Sequence, residues 1–291
     1  AFTAGATLRQ PRGLKVIFLT EMWERSSYYG NPAPLVLYLV NSLGFENADA
    51  LSMYGTYTML LYITPLLGGW IADKFLGLRL TAVIGAVVMM LGHFAMVVPS
   101  LLHFALGLLI IGNGFFKPSS TSMVGELYDG PDDARRDGGY TVYYMGINVG
   151  AILASLVCGT LGETFGWHYG FASAGVGMAI GLVTLVGWQN LLGRAGLRDG
   201  QRPIGLHNLP LIAIYTVASV AVVAGVLFVW PLASRATQGM SPWALIAAGS
   251  VIVAGLVTAS RQIAAKRGNY LPLTPVERRR VAALAVVVLV V

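Results

Sequence analysis

Glu21-Met22-Trp23-Glu24-Arg25-Ser26-Ser27-Tyr28-Tyr29-Gly30 decides the fold class. The stretch lies inside an apolar run, roughly residues 14–40, long enough to cross a membrane as a helix. Helical spacing puts Glu21, Glu24, Arg25 and Tyr28 on one face, at i, i+3, i+4 and i+7. One ionisable group at the middle of a bilayer costs about 2.5–3.5 kcal/mol on insertion scales. Three of them in one span must pair with each other and face a polar interior. A helix of this kind belongs inside a bundle of other membrane helices.

The rest of the chain supplies that bundle. Of its 291 residues only 11% are charged and 56% are hydrophobic, and its mean hydropathy is +0.69. A soluble domain carries about 25% charge, so a soluble globular enzyme is excluded. Further apolar runs fall near 50–72, 80–98, 101–124, 138–161, 169–192, 209–233 and 243–260, and a last one starts near 281. Nothing behind the first run resembles a signal-peptide cleavage site, so it reads as a mature helix. The 36 glycines suit close packing of membrane helices. The single cysteine, Cys158, excludes an intrachain disulfide and a cysteine zinc site.

The 19 basic residues sort by membrane side. Sixteen fall in one set of alternate loops, Arg235 alone in the other set, and Arg25 and Lys117 inside spans. The positive-inside rule then puts the N-terminus in the cytoplasm. The basic balance is therefore a topology signal, and no aromatic-basic interleaving points to nucleic acid. The chain stops at Val287-Val288-Leu289-Val290-Val291, part-way into a span, so the sequence reads as the front part of a longer protein.

Lys117 is the second buried cation, in Gly112-Asn113-Gly114-Phe115-Phe116-Lys117-Pro118. It has no acidic neighbour on its own helix. The only acids deep in the spans are Glu21 and Glu24, so one of these must be its partner. Tyr62 precedes Thr64-Pro65 in the second span. In Tyr143-Tyr144-Met145-Gly146-Ile147-Asn148-Val149-Gly150, Tyr144 and Asn148 share one face, beside a small-residue ridge of Gly146, Gly150 and Ala154. For a single Tyr or Asn in a span helix packing is the plainer reading; recurrence near buried charge favours a site. Between the second and third spans, Gly68-Gly69-Trp70-Ile71-Ala72-Asp73-Lys74-Phe75-Leu76-Gly77-Leu78-Arg79 places an acid, a tight glycine and a base in a short loop. Asp73 is expected to pair with Arg79 or with nearby backbone amides, as a lock that breaks when helices rock. No nucleotide loop, no metal-ligand spacing among His93, His103, His168 and His207, and no nucleophile-base order accompanies these residues.

Four of these motifs, in order, resemble those of the proton-dependent oligopeptide transporters of the major facilitator superfamily, bacterial type. They are Glu21 to Gly30, Gly68 to Gly77, Gly112 to Pro118, and Tyr143 to Gly150. The resemblance covers roughly residues 14–160; two inserted helices at 209–260 and Leu273-Thr274-Pro275-Val276-Glu277-Arg278-Arg279-Arg280 extend it. It implies an all-α membrane protein: a six-helix bundle over 1–192, two inserted transmembrane helices with loops over 193–265, and a linker with the truncated start of a second bundle over 266–291. It further implies a proton-coupled symporter of di- and tripeptides in the inner membrane, working by alternating access. The proton is the coupling ion, no other cofactor is expected, and peptides and membrane lipid, not nucleic acid, are the partners. Glu21, Glu24, Arg25 and Lys117 would couple protons, and Arg25 and Lys117 would face the peptide carboxylate. Tyr28, Tyr29, Tyr62, Tyr144 and Asn148 would line the peptide site. Pro32 stands where the family usually has Arg, which removes one cation and puts a helix breaker in the first span. The second bundle is expected to carry an acid for the peptide amine. A transporter of nitrate or another small anion, and a non-transporting membrane sensor, are the alternatives.

Overall fold

The computed structural model describes residues 9–30 and 32–236. The expected span at 243–260, the linker and the run beginning near 281 lie outside the described residues. One compact unit takes in residues 1–229.

The described residues form helices and no strands. The first span is broken, into α1 (Gly13–Tyr29) and α2 (Pro32–Asn41). The break follows from the sequence: Pro32 has no N–H to continue a ladder, but fits the first turn of a new helix. Next come α3 (Asn47–Ile71), α4 (Leu78–Ala95) and α5 (Leu102–Gly125). The fifth span is α6 (Arg136–Leu153), a π-helical stretch Ala154–Gly159 and the short α7 (Thr160–Phe165). The sixth is α8 (Trp167–Gly187), and α9 (Leu209–Ala236) follows. Among the described residues six helical stretches are long and apolar enough to cross a membrane. The α1–α2 span is not among them, because of its break and its charges.

Within the unit α4 packs on α5 and α8, α3 on α5, and α1 on α6 and α8. Glycine makes these crossings close. A Cβ at Gly85 would lie 2.7 Å from Gly112 O, and one at Gly114 would lie 2.7 Å from Thr64 Cβ. The predicted ridge on α6 is the face against α1: a Cβ at Gly146 would meet Phe18 at 3.0 Å, and one at Gly150 would meet the Met22 carbonyl. Bare backbone at these points lets α1 sit deep enough for its charges to be enclosed.

Candidate functional site

α1 enters the middle of the unit carrying its charges inward. Glu21, Glu24 and Arg25 are all buried. Arg25 pairs with both carboxylates: its Nε lies 3.2 Å from Glu21 Oε1 and hydrogen-bonds Glu24 Oε2, while Nη2 donates to Glu24 Oε1 at 2.7 Å. Lys117 reaches across from α5, and its Nζ donates to Glu21 Oε1 at 3.2 Å. Glu21 is thus the partner that Lys117 was expected to find on another helix. Two anions and two cations make the cluster formally neutral. Lys117 keeps 33% of its side chain exposed, whereas Glu21 keeps none. The ammonium therefore joins a closed cluster to open space.

Four further polar residues complete this network, and none was singled out from the sequence. Ser120 Oγ donates to Glu21 Oε2 at 2.6 Å. Tyr143 OH lies 3.2 Å from Ser120 Oγ and 3.1 Å from Thr121 Oγ1, which ties α6 to α5 behind the carboxylate. Asn113 Oδ1 accepts from Arg25 Nη2 at 3.4 Å, and its Nδ2 donates to Leu61 O at 3.4 Å. Leu61 is the residue four before Pro65, so its carbonyl has no intrahelical donor. Asn113 thereby links Arg25 to the backbone that Pro65 leaves open.

The expected lining residues are exposed in whole or in part. The Arg25 guanidinium lies 4.4 Å from the centre of the Tyr28 ring, and Tyr28 meets Tyr29 edge-on at 5.1 Å. Tyr62 is 77% exposed and Tyr144 58%, and Asn148 is exposed one turn beyond Tyr144. The adjacent Tyr143 is the buried member of the pair.

The expected pairing of Asp73 with Arg79 is not made. Arg79 is buried and spends its donors on the turn after α8: Nε donates to Ala195 O at 3.1 Å, and Nη2 to Gly193 O at 3.1 Å and to Ala195 O. Its backbone N–H donates to Gly196 O at 2.9 Å, and Gly196 N–H in turn donates to Glu126 Oε2 at 2.7 Å. Asp73 is exposed in the π-helical turn Ala72–Leu76, and no base among the described residues lies within 4 Å of its carboxylate. The physical reason is reach: a buried guanidinium takes the carbonyls beside it, while the exposed acid stays with water. The loop before α6 holds one local device. Asp133 accepts from the Arg135 side chain at 2.7 and 3.0 Å and from its N–H at 2.9 Å, which holds that carboxyl well below the usual range.

The model of the POT family (PTR2) matches residues 79–194. A crystal structure of a peptide transporter, POT, in complex with sulfate is 33% identical, covers 96% of this chain and 57% of its own, and superposes with a TM-score of 0.66. Residues 79–194 form a POT family domain. Another solved POT family transporter, in complex with a thioalcohol-conjugated peptide, is 29% identical over 89% of this chain and 53% of its own, with a TM-score of 0.66. Dipeptide and tripeptide permease B of Photorhabdus asymbiotica (strain ATCC 43949 / 3105-77) is 34% identical over 80% of this chain and 48% of that protein. The di-/tripeptide transporter of Lactococcus lactis (strain IL1403) is 43% identical over 60% of this chain and 37% of that protein. The chain spans less than half the length of these curated relatives. Its fold is the all-helical membrane fold of POT transporters, and the family is one of transporters.

Proposed function

We propose that the protein is a proton-coupled symporter of di- and tripeptides that works by alternating access. The observation that carries this is the enclosed, charge-balanced cluster of Glu21, Glu24, Arg25 and Lys117, with Lys117 alone reaching open space. Protonation of Glu21 removes the anion that Lys117 pairs with, and a peptide carboxylate replaces it. The ammonium then leaves α1, and the contact between α1 and α5 loosens. A ligand shifts an equilibrium only through such differential affinity. Glu24 stays with Arg25 through two hydrogen bonds and stores the second carboxylate. Tyr28, Tyr29, Tyr62, Tyr144 and Asn148 suit a peptide of variable side chains, since they offer hydroxyl, amide and ring surfaces and no formal charge. The permease and transporter named above support the substrate class. The loop charges favour an N-terminus in the cytoplasm and a place in the inner membrane. Asp73, exposed at the turn after α3, acts as a lock against a surface that forms only in one state.

The test is uptake by full-length protein in proteoliposomes with an inward proton gradient. Labelled dipeptide should accumulate above the equilibrium level, and nitrate should not compete. With Glu21→Gln, accumulation should stop while peptide counterflow continues. Accumulation that is indifferent to the gradient, or competition by nitrate, would overturn the assignment.

A further inference from the structure

The loop between α8 and α9 is held by more bonds than a connector needs. Gln189 Nε2 donates to Ile204 O at 2.8 Å, and Ile204 N–H donates back to Gln189 Oε1 at 2.7 Å. Gln201 Nε2 donates to Leu76 O at 2.9 Å, and Arg198 Nη1 to Lys74 O at 2.7 Å. Gly77 has φ +80°, and a Cβ there would lie 2.5 Å from Gln201 Oε1, so a glycine is what lets the loop seat.

These bonds fix one wall of a crevice of about 430 Å³ between the turn after α3 and the start of α9. Its lining is of two kinds. Leu76 and Leu80 are buried apolar residues, and Phe75 and Leu211 are exposed ones. Arg202 and His207 are exposed and polar. Among the described residues no carboxylate lies within 4 Å of the Arg202 guanidinium; the acid nearby in sequence, Asp199, is held by Arg194 at 3.4 Å. The helix that forms the outer wall is the least covered of the described spans: 11% of the apolar stretch within Leu206–Phe228 is buried.

We propose that this crevice binds an anionic phospholipid, its phosphate on Arg202 and the His207 ring and one acyl chain along Leu80 and Leu211. A guanidinium fork matches two phosphate oxygens, and an uncompensated one at a membrane surface attracts anionic lipid. Inorganic phosphate would share the polar contacts but would leave the apolar half of the crevice unused. The proposal rests on the membrane reading of the helices and not on peptide transport.

Native mass spectrometry of the purified full-length protein tests it, with phosphatidylglycerol and phosphatidylcholine of the same acyl chains. Wild type should retain phosphatidylglycerol more strongly than phosphatidylcholine. Arg202→Gln should lower retention of phosphatidylglycerol about fivefold, the factor that about 1 kcal/mol per cation gives, and leave phosphatidylcholine unchanged. His207→Gln is an independent arm with the same direction. Arg194→Gln, on the same loop but paired with Asp199, should have no effect. Equal retention in wild type and both crevice variants overturns the proposal. So does displacement of the lipid by inorganic phosphate at equal concentration, because the acyl contacts would then add nothing. No substrate is present, so the result is separate from that of the uptake assay.

Discussion

Glu21→Gln takes one anion from a cluster of two anions and two cations, and leaves a net charge of +1 behind. Glu21 Oε1 lies 3.2 Å from both Lys117 Nζ and Arg25 Nε, and Oε2 lies 2.6 Å from Ser120 Oγ. At an effective dielectric constant of about 20, each of the two ionic contacts is a gross attraction of about 5 kcal/mol. Desolvation offsets most of it, and removing one member of a buried pair costs about 3–5 kcal/mol. Arg25 keeps Glu24, and Lys117 can turn its partly exposed ammonium to water. The loss therefore falls near the low end, about 3 kcal/mol, or roughly 6–12 °C in unfolding temperature for a unit of this size. Lys117→Ala in the Glu21→Gln background restores neutrality, so the double variant should be about 2 kcal/mol more stable than the sum of the two single losses, within the coupling range of contacting residues. Thermal unfolding of the four proteins in one mild detergent measures this cycle. Strictly additive losses would refute the reasoning, since Glu21 and Lys117 would then not share a contact.

Five other substitutions separate the parts of the structure. Arg79→Ala should destabilise by about 2–4 kcal/mol, because several buried carbonyl contacts go at once, whereas Asp73→Asn should leave the unfolding temperature unchanged and slow peptide turnover. Tyr143→Phe should lose about 1 kcal/mol by removing the hydroxyl behind Ser120, while Tyr144→Phe should cost no stability and weaken peptide affinity in a binding titration. Gly114→Val should destabilise by about 1–3 kcal/mol or more, seen as a lowered unfolding temperature or a failure to yield monodisperse protein, since its Cβ would press on Thr64 at 2.7 Å.

What could be read from the sequence was whatever the membrane makes costly. Three charges in one span and one lysine in another had to meet, and they do, through Glu21 and Lys117. The ridge of Gly146, Gly150 and Ala154 announced a close helix contact because small residues at that period have few other uses, and the structure puts α1 there. The break before Pro32 was visible for the same local reason. Other parts were set by neighbours that are remote in sequence. Tyr143 and Tyr144 differ by one position on α6, and only the place of α5 decides which is buried. Arg79 finds its acceptors more than a hundred residues away, at Gly193 and Ala195, where no loop motif pointed. Asn113 looks like an ordinary polar residue until Pro65 on α3 is seen to free the Leu61 carbonyl beside it.

The central claim is that Lys117 trades the Glu21 carboxylate for that of the peptide. The direct measurement is the affinity of one dipeptide, as free acid and as C-terminal amide, for wild type and for Lys117→Ala. The account predicts tight binding of the free acid to wild type, weak binding of the amide, and a loss on substitution that is much larger for the free acid than for the amide. Equal losses for the two peptides would contradict it and confine Lys117 to proton coupling or to holding α1 against α5.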